Sequence, residues 1–170
     1  MAISNSRGPQ SLRDFEKSSY SNIKAMTIKE AIAFGDVILL AIPWIKRQDL
    51  PSSGLLNGKI VIDAMNPYSK NFEVINLEPS SSSEEVAKQL NGARTKGNTK
   101  LPKENRIVLF IAGDDAQAKS IVSKLIDEIG FMPVDTGSLT EGGRKQQPGS
   151  EIYNNPMTLQ IAQKKLSEIS

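Results

Sequence analysis

The chain has 170 residues, room for one domain with its own core but too few for two of ordinary size. Apolar residues make up 38% and charged residues 24%, with a formal net charge of +2, so a folded chain is expected and nucleic acid is not expected as a partner. Cys and His are both absent, which excludes disulfides, thiol or imidazole catalysis and His- or Cys-ligated metals; no apolar run nears the roughly 20 residues that span a bilayer and Met1–Pro9 lacks a signal-peptide shape, so no membrane partner and a cytoplasmic address are expected.

In chain order, the apolar start Met1-Ala2-Ile3 reads as the end of a strand running into Ser4-Asn5-Ser6-Arg7-Gly8-Pro9. In a dinucleotide-binding fold the turn after the second strand selects the cofactor, and an Asp or Glu there would bond a ribose 2′-hydroxyl. Ser4, Asn5, Ser6 and Arg7 instead set hydroxyl and amide groups beside a guanidinium, a set that suits a 2′-phosphate and hence NADP(H) over NAD. The same run also reads as an ordinary exposed turn. Thr27-Ile28-Lys29-Glu30 has the capping-box pattern and starts a helix ending near Gly35. Strands follow at Asp36–Ala41 and Lys59–Ala64. Pro79–Ser83 reads as a small polar loop, Ser83–Leu90 as a short helix, and Asn91–Asn105 as a polar stretch without a usable period. A third strand at Ile107–Ala112 leads to Asp114 or Asp115 as the cap of an amphipathic helix, whose Ala118, Ile121, Val122, Leu125, Ile126 and Ile129 recur at three- and four-residue spacing up to Gly130. A fourth strand, Phe131–Asp135, precedes a C-terminal helix over Met157–Ile169. The strands are continuous apolar runs, as expected under helices on both faces, and the alternation predicts an α/β, doubly wound, mainly parallel sheet in a single domain over 1–170.

Ligands of open α/β sheets bind outside the carboxyl ends of the strands, which marks the loops at Ile42–Trp44, Met65–Tyr68, Gly113–Asp115 and Thr136–Ser138. Pro43 and Trp44 read either as a wall against a ribose or planar ring or, for Trp44, as an anchor on a neighbouring helix. Asn66 reads either as an amide donor to a cofactor or as part of an Asn-Pro turn. The adjacent Asp114 and Asp115 fit helix capping better than acid catalysis. Ser138 and Arg144–Gln147, beside Gly142-Gly143, either close over a ligand or begin the next helix.

Five segments together, Ser4–Pro9, Gly35–Trp44, Gly58–Pro67, Phe110–Ala116 and Val134–Gly149, resemble the NADP oxidoreductases related to the deazaflavin (coenzyme F420)-dependent NADP reductase. That group shares its Rossmann domain with the N-terminal domain of pyrroline-5-carboxylate reductase. The resemblance implies a Rossmann-like domain that holds NADP(H) for hydride exchange with a deazaflavin, a flavin-like cofactor or a small substrate. It assigns the 2′-phosphate to Asn5, Ser6 and Arg7, and the cofactor border to Ala41, Ile42 and Pro43. The family pattern opens with a strand and a Gly-x-Gly-x-x-Gly turn that find no counterpart after Met1, so a Rossmann-like domain N-terminally truncated at that point is expected. The absent strand belongs between those ending at Asn5 and Ala41, and two unpaired edges follow from its absence. Where relatives have an apolar strand before a substrate-facing Asn-Thr turn, this chain has Thr95-Lys96-Gly97, with Asn98 and Thr99 as the remnant on the substrate side. Two readings result: an NADP(H)-dependent oxidoreductase domain, or a non-catalytic module that forms a homo-oligomer or needs a partner to complete its sheet. A nucleotide-binding regulator is a third.

Overall fold

The computed structural model describes residues 1–17, 22–89 and 106–169. Its strands form three parallel pairs: β1 (Ala2–Ile3) with β2 (Lys24–Ala25), β3 (Val37–Leu40) with β4 (Ile60–Asp63), and β5 (Val108–Ile111) with β6 (Met132–Asp135). Among the described residues no ladder joins one pair to the next. β3 to β6 lie inside the four apolar runs of the sequence. The β2 strand carries no such signal, because pairing alone makes it extended: Lys24 N–H donates to Met1 C=O and Met26 N–H to Ile3 C=O, both at 3.0 Å.

The helices are α1 (Arg13–Lys17), α2 (Ile28–Phe34), α3 (Ser53–Leu56), α4 (Ser82–Gln89), α5 (Ala116–Glu128), α6 (Glu141–Lys145) and α7 (Leu159–Glu168), with 3-10 turns at Pro9–Leu12 and Trp44–Asp49. The predicted caps of α2 and α5 form. Thr27 Oγ1 accepts from Glu30 N–H while Glu30 reaches back to Thr27 N–H at 2.9 Å, and Asp115 Oδ1 accepts from Ala118 N–H at 2.9 Å. The Pro79–Ser83 run is a loop only as far as Ser81. Ser81 and Glu84 make a second capping box, with Glu84 N–H donating to Ser81 Oγ at 3.0 Å and Ser81 N–H to Glu84 Oε2 at 3.3 Å, so α4 begins at Ser82. Leu90 and Asn91–Asn105 lie outside the described residues.

In-register pairing puts Ile38, Leu40 and Val61 on one face of β3–β4, where they meet Ile32 of α2, Leu56 of α3, Val86 of α4, Trp44 and Met65. The other face carries Val37, Leu39, Ile60 and Ile62, and Leu39 is 61% exposed. On β5–β6, Val108, Phe110, Met132 and Val134 pack with Ile152, Met157 and the Leu159, Ala162 and Leu166 stripe of α7. Ile111, on the alternate face, is also buried, and α5 packs against both strands.

A polar seam joins the two cores. Ser81 Oγ donates to Leu139 C=O at 2.7 Å, Ser82 N–H donates to Gln147 Oε1 at 3.1 Å, and Arg144 pairs with Glu78 at 2.7 Å. Gly142 and Gly143 permit this closeness: a Cβ at Gly142 would lie 2.6 Å from Thr136 O, and one at Gly143 would lie 2.9 Å from Ser81 Oγ.

Candidate functional site

The turn after β1 is held by its own side chains. Asn5 Oδ1 accepts from Arg7 N–H at 2.9 Å and from Ser11 Oγ at 3.1 Å, and Ser11 Oγ also reaches Gly8 C=O at 2.8 Å. Gly8 takes φ +86°, a left-handed conformation that glycine adopts without a Cβ clash, and the chain then enters the 3-10 turn at Pro9. Ser6 and Arg7 are exposed, and among the described residues the Arg7 guanidinium has no ion-pair partner. Ser4 Oγ is buried and has no hydrogen-bond partner among the described residues. No Asp or Glu occurs between Ser4 and Arg13. Among the described residues, the turn therefore presents an unpaired cation at a strand end with no carboxylate in it.

At the end of β3, Ala41, Ile42 and Pro43 are exposed. Trp44 is not. It is 2% exposed, lies in the core beside Leu40 and Leu56, and carries Arg47 over its ring at 4.8 Å. Of the two readings of this residue, burial supports the packing anchor and removes it from the cofactor wall.

Two of the remaining strand-end loops, Met65–Tyr68 and Gly113–Asp115, meet at a cleft of about 950 Å³ between β4 and β5, which Thr136–Ser138 does not border. Asn66, Gly113, Asp114 and Asp115 line it together with Ser82, Ser83, Gln146 and Gln147. Neither the Ser4–Arg7 turn nor Ala41–Trp44 borders it. Asp114 does not cap a helix as its neighbour does; its Oδ1 accepts from Leu139 N–H at 2.9 Å and ties the loop after β5 to the loop before α6. Ser138 Oγ accepts from Glu141 N–H at 3.0 Å, in the turn that leads into α6. Asn98 and Thr99 lie outside the described residues.

Asp63 was not among the residues singled out from sequence. It ends β4 on the cleft lining, with Oδ1 accepting from Met65 N–H at 2.9 Å, while Oδ2 is buried and makes no well-formed hydrogen bond among the described residues. Burial pushes its carboxyl above the usual Asp range, against the opposing pull of Met65 N–H and the nearby Ser83 hydroxyl. An acid closing an otherwise apolar strand, Ile-Val-Ile-Asp, was the available signal. Lys119, also on the lining, pairs with Asp135 at 2.8 Å. Among the described residues no group of three or more acidic, His or Cys side chains could hold a metal, and no helix is long and apolar enough to cross a membrane.

A sequence profile described as NADP oxidoreductase, coenzyme F420-dependent, matches residues 1–67. Among solved structures, a hypothetical protein from Sinorhizobium meliloti is 31% identical with a TM-score of 0.75, the match covering 92% of this chain and 82% of that one. A candidate F420-dependent NADP-reductase from Arthrobacter sp. FB24 is 20% identical with a TM-score of 0.62, over 82% of this chain and 74% of that one. At that identity the second likeness bears on the fold, which is Rossmann-like α/β. No curated protein matches the chain significantly.

Proposed function

This chain belongs to the family of coenzyme F420-dependent NADP oxidoreductases, and on that premise we propose that it binds NADP(H) through the turn after β1. The observation that carries the reading is an exposed Arg7, without an ion-pair partner among the described residues, in an Asn5-fixed turn that has no acid. A carboxylate at this turn would accept from a ribose 2′-hydroxyl and repel a 2′-phosphate; a guanidinium does the reverse. Asn5 spends its Oδ1 on holding the turn, which leaves Ser6 and Arg7 to face the phosphate, with Ala41, Ile42 and Pro43 open at the end of β3.

These residues fit the adenosine 2′-phosphate end of the cofactor. Among the described residues no strand–glycine–helix turn of the kind that cradles a pyrophosphate is present, so no step is assigned to that part. When bound, NADP(H) supplies hydride chemistry, with a deazaflavin, a flavin-like molecule or a small substrate as the other redox partner. The chain's own part is to bind and orient, since it has neither imidazole nor thiol.

The test is an equilibrium titration of the 170-residue chain with NADPH, followed by nicotinamide fluorescence, with NADH alongside. Binding selective for NADPH is expected, and Arg7→Ala is expected to weaken it by roughly 10- to 100-fold, the worth of about 1.5–3 kcal/mol for hydrogen bonds to a charged group. NADH binding should not change. Equal loss of both nucleotides, or no loss, would overturn the reading.

A further inference from the structure

Beyond β4 the chain passes the fully buried Pro67 and turns back on itself as a hairpin. Tyr68 faces Val74 across an antiparallel bridge, with Ser69 N–H donating to Glu73 C=O and Ile75 N–H to Pro67 C=O, both at 2.8 Å. Ser69 ties the tip from inside: its carbonyl accepts from Phe72 N–H at 3.1 Å, and its Oγ accepts from Asn71 and Glu73 N–H, both at 3.2 Å. Lys70, Asn71 and Phe72 therefore form a three-residue loop, whose last position is left-handed and ordinarily falls to Gly or Asn. Here it is Phe72, at φ +60° and 84% exposed. A left-handed backbone crowds the Cβ of any residue but glycine, and an exposed benzyl group gains nothing from folding. Both terms count against Phe72 in an isolated chain. The outer edge of the hairpin is open as well. Its cross-strand bonds flank the bridge, so Val74 turns its own N–H and C=O away from Tyr68; among the described residues nothing bonds to them, and Val74 is 52% exposed. Lys70 and Glu73 flank Phe72, both exposed and neither with an ion-pair partner among the described residues.

We propose that the Tyr68–Ile75 hairpin is a self-association surface, covered by the same hairpin of a second copy of this chain across a two-fold axis. A two-fold sets an edge antiparallel to itself, so Val74 of each copy donates its N–H to the Val74 carbonyl of the other. The charges select the same occupant. The patch carries one unpaired cation and one unpaired anion, and an identical patch turned through 180° offers the opposite sign at each end, Lys70 meeting the second copy's Glu73 and Glu73 its Lys70. Phe72, already fixed by the Ser69 bonds, loses little freedom on docking and supplies the aromatic anchor, buried against the Phe72 and Val74 side chains of the second copy. A hairpin of this size covers less than the roughly 800 Å² per partner of a standard interface, so the dimer is weak and its population rises with concentration. Nucleotide binding is not involved, since residues 68–75 neither belong to the Ser4–Arg7 turn nor line the cleft.

The experiment is sedimentation velocity of the full chain over about a hundredfold range of concentration, with melting curves recorded at the dilute end. A monomer–dimer equilibrium is expected. Phe72→Gly should weaken it by roughly tenfold or more, yet leave Tm unchanged or raised, because glycine relieves the left-handed backbone. Lys70→Glu and Glu73→Lys should each weaken association, and the two together should restore it. A chain that stays monomeric throughout, association indifferent to Phe72→Gly, a lowered Tm in that variant, a double variant no tighter than the singles, or species larger than a dimer would overturn the proposal.

Discussion

The β5–β6 ladder and the β3–β4 ladder are built from equally apolar strands, yet they are covered differently. The first lies between α7 and α5, with Val108 and Ile111 buried on alternate faces. The second buries Leu40 at 7% exposure and leaves its neighbour Leu39 at 61%. Continuous apolar sequence is the mark of a strand that can be buried on both sides. The contrast shows that this pattern reports what a strand can tolerate, while its neighbours decide how much is realised.

The largest effect that tests the contrast lies within β3. Leu40→Ala should cost about 2–5 kcal/mol through lost burial and a cavity among Trp44, Leu56 and Met65, whereas Leu39→Ala should stay near or below about 1 kcal/mol. Urea unfolding of the two variants measures this, and similar costs would mean that the Leu39 face is covered in solution. A smaller effect probes the seam between the cores. Gly142→Ala should destabilise by about 1–3 kcal/mol and exceed Gly143→Ala, because the first new Cβ falls 2.6 Å from Thr136 backbone and the second 2.9 Å from the Ser81 hydroxyl. Thermal unfolding ranks the pair; equal, small costs would show a looser seam.

The smallest effect comes from Asp63 and appears as a pH dependence. Its folded pKa is raised above the ordinary 3.8, so folding disfavours the ionised form. The penalty is absent below the unfolded value and grows as pH rises through the folded one, so its contribution to stability falls across that window. Asp63→Asn should remove this component and raise Tm at neutral pH, as read from melting curves between pH 3 and 7. A flat difference between wild type and variant across that range would show that the carboxyl is solvated.

Much of the scaffold was readable from local signals. The four long strands, the Thr27–Glu30 box and the Asp115 cap all rest on residues within a few positions of one another. The Ser81–Glu84 box has the same signature, but four consecutive serines make a loop the simpler reading until Glu84 is paired with the second of them. The site was readable in part. The Asn5 turn closes through Arg7 and Ser11, near in sequence, whereas the cleft draws on β4, α4, β5, α5 and the α6 region, which only the tertiary structure brings together.

By itself, then, the sequence determined the α/β alternation, the identity of the long strands, the helix caps and the acid-free turn bearing Arg7, because each depends on periodicity or on hydrogen bonds spanning a few residues. Tertiary structure alone decided that Trp44 is core, that one carboxyl oxygen of Asp63 is buried and its pKa raised, that Gly142 and Gly143 sit against Thr136 and Ser81, and that the ends of β4 and β5 share one cleft. Burial and edge pairing are properties of what lies across a contact, and those partners stand tens of residues away along the chain.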